Sequence, residues 1–134
     1  MPRAPLSLTV PSHTPSPSDT PLLTPAALAA HLPALPAWSV TPDGKALTRS
    51  LVARNFDAAL AFFAAIAPVA NAAGHHPDLA LSNFRDVTVS LTTHAAGGIT
   101  LADVGLAARI DAVPVDCSPK WLKAQQQQAA AGGE

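Results

Sequence analysis

"DLALSNFRDVTVSLTTH", residues 78–94, has the pattern of two β-strands joined by a turn. In its second half Val87, Val89 and Leu91 alternate with hydroxyl side chains, a period of two that is typical of a strand with one buried face. The preceding Asn83 to Asp86 predict the turn. The polar face of the second strand carries Thr88, Ser90, Thr92 and, by the same parity, His94.

A long helix is predicted just before this hairpin, in residues 56–73. Asn55 is a suitable N-cap, and Gly74 is a suitable end because glycine readily adopts the left-handed conformation found after helices. Pro68 lies inside the segment and is expected to kink the helix or split it. The predicted core face consists of Leu60, Phe63, Ile66 and Ala70.

Two more helices and two more strands complete the pattern. The pair Thr24–Pro25 predicts the start of a short first helix. Residues 38–40 and 47–53 predict strands on either side of a Pro-Asp-Gly turn. Thr100, with Asp103 three residues later, predicts the capped start of the last helix, where the aspartate would serve as an N-terminal helix charge. The predicted core face of that helix consists of Leu101, Val104, Ala108 and Ala112.

The order helix, two strands, long helix, two strands, helix predicts an α+β fold, with a four-stranded antiparallel sheet and three helices packed on one face. We expect the folded domain to cover residues 21–117. The Pro/Ser/Thr-rich residues 1–20 predict a disordered arm, and residues 118–134, which include "KAQQQQAAAGGE", predict a low-complexity tail.

Composition limits the partners. The net charge is −1, only 13% of residues are charged, and no basic stripe is present, which argues against direct binding to nucleic acid or to an anionic membrane. The interior has only four Phe and two Trp to fill it, so we expect a homodimer or homotetramer. No uninterrupted apolar run approaches the length of a bilayer span, and no secretory signal is seen. The single Cys117 fits a reducing compartment, expected to be the cytoplasm, or a plastid or mitochondrion if the arm is the remnant of a transit peptide.

Three of the five histidines flank the hairpin, at His75, His76 and His94. Their spacing lacks the ligand pairs typical of zinc sites, so we expect no metal or other cofactor. Two interpretations remain. The first pair either interacts with the carboxyl end of the long helix, where cations are favoured, or forms with His94 a cluster that exchanges protons with a neutral heterocycle. Asp78 would either orient one of these rings or be a solvated turn residue. No phosphate-binding loop, nucleophile elbow or HExxH helix competes with these interpretations.

The stretch "GHHPDLALSNFRDVTVSLTTHAAGGITLADVGLAARID", residues 74–111, closely resembles the signature of the pterin-4a-carbinolamine dehydratases. The resemblance extends upstream through the long helix to Trp38 and covers about residues 22–112. The matching positions are His75-His76-Pro77, Phe84, Thr93-His94, Gly98-Ile99-Thr100 and Asp103.

This resemblance implies a metal-free, oligomeric enzyme that removes water from 4a-hydroxytetrahydropterin to give quinonoid dihydropterin, which recycles tetrahydrobiopterin for aromatic amino acid hydroxylases. It implies His75 and His94 as the acid and the base, and His76 as a residue that holds the pterin and assists. It places the other substrate contacts at Gly74, Pro77, Asp78, Thr92 and Thr93.

The chain departs from the family pattern at three places. Asn71 stands where an acidic residue is usual, Gly74 replaces an Asp or Asn, and the loop at residues 79–83 is one residue longer than in animal members. Some proteins that resemble this family act instead as assembly chaperones or as dimerisation cofactors of a transcription factor, so a non-catalytic binding protein is the alternative. The presence of all three histidines favours the enzyme.

Overall fold

The computed structural model describes residues 21–132, with side chains described as far as residue 127. The predicted arm, residues 1–20, lies outside the described residues. Within them the chain forms the expected α+β arrangement, a four-stranded antiparallel sheet with helices, and adds one helix to the three predicted. The elements are α1 (Pro25–His31) followed by a 3₁₀ turn (Leu32–Ala34), β1 (Ser39–Val40), β2 (Leu47–Val52), α2 (Phe56–Ala73), β3 (Asp78–Ser82), β4 (Asp86–Leu91), α3 (Leu101–Asp111) and α4 (Pro119–Gly132).

Strand β4 is the centre of the fold. The sheet order is β1-β2-β4-β3, and every neighbouring pair is antiparallel. Burial alternates along β4 as predicted: Val87, Val89 and Leu91 are buried, while the residues between them are only partly buried. The buried face therefore forms the floor of the core, and the helices cover it.

The caps of α2 agree with the sequence. The Asn55 side chain accepts a hydrogen bond from the Ala58 N–H at 2.9 Å, and Gly74 ends the helix with a φ of +66°. Pro68 does not split the helix, which runs without interruption from residue 56 to residue 73. The sequence predicted either a kink or a break at Pro68, and the continuous helix excludes the break.

The predicted core face of α2 was wrong in part. Leu60 is 44% exposed and Phe63 is only partly buried, and the innermost stripe lies one position earlier in the sequence. Apolar residues occur all round this helix, so two stripes of equal quality compete in the sequence, and only packing against the sheet distinguishes them. The buried residues are Ala59, Phe62, Ile66 and Ala70.

Helix α2 is apolar along most of its length. Its 18 residues have a mean hydropathy of 1.6, and 22% of them are buried. Among the described helices it is the one that is long and apolar enough, by length and composition, to cross a membrane. Asp57 interrupts the apolar run, so an uninterrupted run of apolar residues does not reveal this helix in the sequence. Four buried side chains attach it to the core of the domain, as expected for the core helix of a small α+β protein.

The core face of α3 also differs from the prediction. Leu101 is 53% exposed, and Ala108 and Ala112 are exposed as well, whereas Val104 is partly buried against the core. The reason is the rotation of the helix about its axis, which turns Asp103 completely inward. The buried set is Asp103, Leu106, Ala107 and Ile110.

A polar cluster joins β2 to α3. Arg49 lies on the core-facing side of β2, where its guanidinium group donates to an Asp111 carboxylate oxygen at 3.2 Å and lies 5.7 Å from the ring centre of Phe62. The indole N–H of Trp38 donates to the same oxygen at 2.9 Å. The cation is therefore paired and stacked, which makes its position beside the core tolerable.

The start of helix α4 lies next to the end of β2, although the two are far apart in the sequence. The Ser118 N–H donates to the carbonyl of Val52 at 2.8 Å, and Trp121 packs partly against the core. The pKa of the nearby Cys117 thiol is raised, mainly because the thiol is buried. The predicted low-complexity tail, residues 118–134, is thus helical over Pro119–Gly132.

Candidate active site

Three chain segments meet at one end of the sheet. Asp78 of β3 lies opposite Ser90, and Leu47 of β2 lies opposite Leu91. The residues that follow Leu91 consequently leave the sheet between the α2–β3 connection, residues 74–77, and the turn between β1 and β2. All three histidines of interest belong to this region.

His75 makes a buried pair with Asp103. The ring Nε2 lies 2.5 Å from Oδ1 of the carboxylate, and only 7% of His75 and 0% of Asp103 is exposed. The other carboxylate oxygen accepts hydrogen bonds from the Thr93 hydroxyl at 2.8 Å and from the Thr100 N–H at 2.9 Å. The two threonine hydroxyls are themselves 2.9 Å apart.

These contacts fix both members of the pair. A buried carboxylate is costly unless it is paired and hydrogen-bonded, and Asp103 has three partners. Its bond to Nε2 leaves Nδ1 as the other hydrogen-bonding atom of the His75 ring, and it determines how that ring is oriented. The predicted capping box at Thr100 is confirmed, and the same aspartate also holds a histidine 28 positions away in the sequence.

His76 has a different environment from its neighbour. It is exposed, and its Nε2 lies 2.9 Å from the side-chain oxygen of Asn71 in the last turn of α2. The chain reaches it through the left-handed Gly74, whose N–H bonds to the Asn71 carbonyl at 3.2 Å. The two adjacent imidazoles thus have separate partners, on α3 and on α2.

His94 lies at a cavity of about 330 Å³. The ring is exposed and makes no hydrogen bond with any residue in the described range 21–132. Thr92 lines the same cavity, and its hydroxyl donates to the Lys45 carbonyl at 2.6 Å. The remaining lining residues are Asp43, Lys45, Ala46 and Gly97.

The structure places the other predicted contact residues as follows. Gly74 is the exposed end of α2, Pro77 is half-buried, and Asp78 is the exposed first residue of β3. Thr93 is buried, with its hydroxyl turned toward Asp103. Hydrogen bonds therefore join His75 to Thr93 through Asp103, whereas no bond between two histidines occurs in the part of the chain that the structure describes.

One side of the cavity, formed by the β1–β2 turn, was not predicted from the sequence. Asp43, Lys45 and Ala46 carry no local signal of function, since a Pro-Asp-Gly-Lys turn is common at hairpins. Only the register of β2 against β4 brings them to His94, and that register is a long-range property. The hydrogen bond from Thr41 lowers the pKa of the Asp43 carboxyl, and the backbone N–H and the charge of Lys45 act in the same direction.

Among residues 21–132, no three histidine, cysteine or carboxylate side chains converge as a ligand set for a metal ion. The groups at this end of the sheet form two sets: the buried His75–Asp103 pair with the Thr93 and Thr100 hydroxyls, and His94 with Thr92 and Lys45 at the cavity. Such groups can hold a polar heterocycle and move protons on it.

Comparison with known proteins gives a consistent result. The family model described as pterin 4 alpha carbinolamine dehydratase matches residues 21–113. A Chloroflexus aggregans protein with a provisional pterin-4-alpha-carbinolamine dehydratase name is 42% identical over 91 residues, which cover 68% of this chain and 95% of the relative. A Nocardia farcinica protein with the same provisional name is 42% identical over 92 residues, covering 69% and 94%. The crystal structure of a "transcriptional coactivator/pterin dehydratase" from Brucella melitensis superposes with a TM-score of 0.63 at 32% identity, over 68% of this chain and 96% of that one.

Proposed function

The chain belongs to the pterin-4-alpha-carbinolamine dehydratase family, and from this membership we propose that it removes water from a 4a-hydroxytetrahydropterin to give a quinonoid dihydropterin. The observation that carries the proposal is the buried pair of His75 and Asp103, because it holds an imidazole in one orientation beside the other site residues. The reaction would serve the recycling of the pterin cofactor of a hydroxylase.

The proposed chemistry needs one acid and one base. The bond between C4a and the hydroxyl oxygen breaks while an imidazolium protonates that oxygen, so the leaving group is water. A ring nitrogen supplies the electron pair of the new C=N bond and loses its proton to a neutral imidazole. One proton is given and one is taken, with no change in oxidation state.

His75 and His94 are the proposed acid and base. Asp103 fixes the ring of His75, whereas His94 is exposed at its cavity and can exchange protons with water after each turnover. Acid–base assistance of this kind accelerates a reaction by roughly 10²- to 10⁴-fold. His76, held by Asn71, is proposed to bind the pterin ring with Gly74, Pro77, Asp78 and Thr92, whereas the buried Thr93 is proposed to act through Asp103.

The experiment is a dehydration assay on chemically generated 4a-hydroxytetrahydropterin, with formation of the quinonoid product followed by absorbance. We expect a wild-type rate far above the spontaneous one, and large losses of kcat in His75→Ala and His94→Ala. His31→Ala, at the end of α1, is the matched control and should keep wild-type activity. A wild-type protein that does not exceed the spontaneous rate would contradict the proposal.

Self-association is part of the proposal. The outer face of α2 presents Phe56, Leu60, Ala64 and Ala67 at helical spacing, and the only charged residue in the whole helix is Asp57 in its first turn. An apolar surface without charges can pack against a copy of itself without electrostatic repulsion, and the small alanine side chains allow two helices to approach closely. We therefore assign a second copy of this chain to this face, in a homodimer or homotetramer.

A non-catalytic binding role is the second candidate. The Brucella protein has a name that joins a coactivator to a dehydratase, and the apolar face of α2 is the observation in this chain that suits a protein partner. The dehydration assay distinguishes the two roles, because a pure binding protein would show no acceleration.

A further inference from the structure

The turn between β1 and β2 forms one side of the cavity that contains His94. Asp43, Lys45 and Ala46 line that side, and Thr92 and Gly97 line the rest. The cavity, of about 330 Å³, is much larger than the roughly 30 Å³ that one water molecule occupies in the liquid. It therefore has room for a substituent of the substrate beside His94.

The turn is held in a single shape by its own hydrogen bonds. The Thr41 hydroxyl donates to the Asp43 carboxylate at 2.7 Å and accepts from the Ala46 N–H at 3.1 Å. The same carboxylate oxygen accepts from the Lys45 N–H at 3.0 Å. The Thr92 hydroxyl, which donates to the Lys45 carbonyl at 2.6 Å, attaches the turn to the segment that leads to His94.

This shape presents two opposite charges to the cavity. Asp43 is a carboxylate at neutral pH, as aspartates ordinarily are, and the Thr41 hydroxyl lowers its pKa further. The Lys45 ammonium group makes no ion pair within 4 Å in the part of the chain with described side chains, residues 21–127. It is therefore available to a ligand.

A carboxylate next to an ammonium group selects the chemistry of that ligand. A hydroxyl group can donate to the carboxylate and accept from the ammonium group, so adjacent hydroxyls satisfy both. A phosphate group would gain from Lys45 but would be repelled by Asp43. A methyl group offers a hydrogen bond to neither charge.

We propose that Asp43 and Lys45 are specificity-determining residues that recognise a hydroxylated substituent of the pterin, such as a dihydroxypropyl group. This inference rests on the proposed function, because it takes the occupant of the cavity to be the substrate of His94. The ring would lie toward the histidines and the substituent toward the turn.

The test compares two substrates, 4a-hydroxytetrahydropterins with either a dihydroxypropyl or a methyl group at C6. The readout is the ratio of their kcat/KM values. For Lys45→Met, which keeps most of the side-chain length but not the charge, we expect this ratio to fall about 10-fold, the effect of losing one hydrogen bond to a charged group. Asp43→Asn should lower the ratio in the same direction, and Lys120→Met on α4 should leave it at the wild-type value.

A ratio within about twofold of wild type in both turn variants would overturn the inference. If the wild type shows no turnover, the proposed function fails, and equilibrium binding of the stable analogues biopterin and 6-methylpterin then tests the inference directly. Preferential binding of biopterin that is lost in Lys45→Met would support it. Equal binding of the two analogues would contradict it.

Discussion

Two adjacent histidines, His75 and His76, have opposite physical situations in this fold. The first is buried and bound to a carboxylate on α3, and the second is exposed and bound to an amide on α2. Adjacent residues in an extended path point to opposite sides, so the single turn of backbone after Gly74 is enough to separate them. This separation allows one ring to be held rigidly while the other remains accessible.

The bond between Asn71 and His76 gives a prediction about binding. Asn71→Ala removes the acceptor and leaves the exposed His76 ring free to rotate, so KM should rise severalfold with a smaller change in kcat. Asn71→Asp keeps an acceptor oxygen at the same place and should restore KM to nearly the wild-type value. Steady-state kinetics of both variants provide the measurement, and an alanine variant with wild-type KM would show that Asn71 does not position His76.

Sequence patterns predicted local features better than the contacts between distant residues. The capping role of Asp103 followed from a local motif and is confirmed, whereas the catalytic roles of His75 and His94 stay predictions. The bond from Asp103 to His75 did not follow from such a motif, because a capping aspartate is usually exposed and nothing near it in the sequence shows that the helix turns it inward. Lys45 was missed for the same reason, since only strand pairing brings it to His94.

At the level of elements, two glycines with opposite backbone requirements predict opposite stability changes. Gly74 has a φ of +66° and Gly105 lies within α3, and an added Cβ would meet no atom within 4 Å at either position. Gly74→Ala should therefore destabilise the protein by about 1–2 kcal/mol, the cost of a left-handed alanine. Gly105→Ala should stabilise it by about 0.5–1 kcal/mol through a better helix propensity.

Urea unfolding of both variants measures these differences. Because neither side chain would contact another, the sign at each position reports the backbone alone. A Gly74→Ala variant as stable as wild type would mean that the end of α2 relaxes without cost, and the fixed exit toward His75 would then lose its physical basis.

The sequence predicted the ends of α2 and α3 more reliably than their buried faces. N-cap and C-cap signals are local, and Asn55, Gly74 and Thr100 act as expected. The buried face depends on which of several apolar stripes meets the sheet, and in an alanine-rich helix these stripes are nearly equivalent. This is why Leu60 was assigned to the core and is instead 44% exposed.

At the scale of the whole molecule, the outer face of α2 predicts the state of association. We expect the wild type to have at least twice the 13.6 kDa mass of one chain, as measured by light scattering after gel filtration. Leu60→Glu would place a charge in the centre of the helix contact and should yield monomers. Leu122→Glu is the control, because Leu122 on α4 has the same 44% exposure but lies outside the α2 face. A monomeric wild type, or a Leu60→Glu protein of unchanged mass, would contradict this assignment.

The whole sheet places the site. The chain continues beyond Leu91, the last residue of β4, into Thr92 and Thr93. Each neighbouring strand contributes one side: the histidine pair lies on the β3 side and the Asp43–Lys45 turn on the β2 side. Helix α3 supplies the buried carboxylate. The proposed dehydratase thus depends on four parts of the chain, of which the β1–β2 turn is the most distant in the sequence.

The most direct test of the proposed role of the His75–Asp103 pair is the kcat of pterin dehydration in wild type and in Asp103→Asn. The asparagine keeps an oxygen for the Thr93 and Thr100 contacts but replaces the carboxylate that faces His75. With the fold verified by circular dichroism, we expect a wild type much faster than the spontaneous reaction and a loss of kcat of roughly 10²-fold or more in the variant. A wild type no faster than buffer, or a folded Asp103→Asn protein with wild-type kcat, would contradict that role.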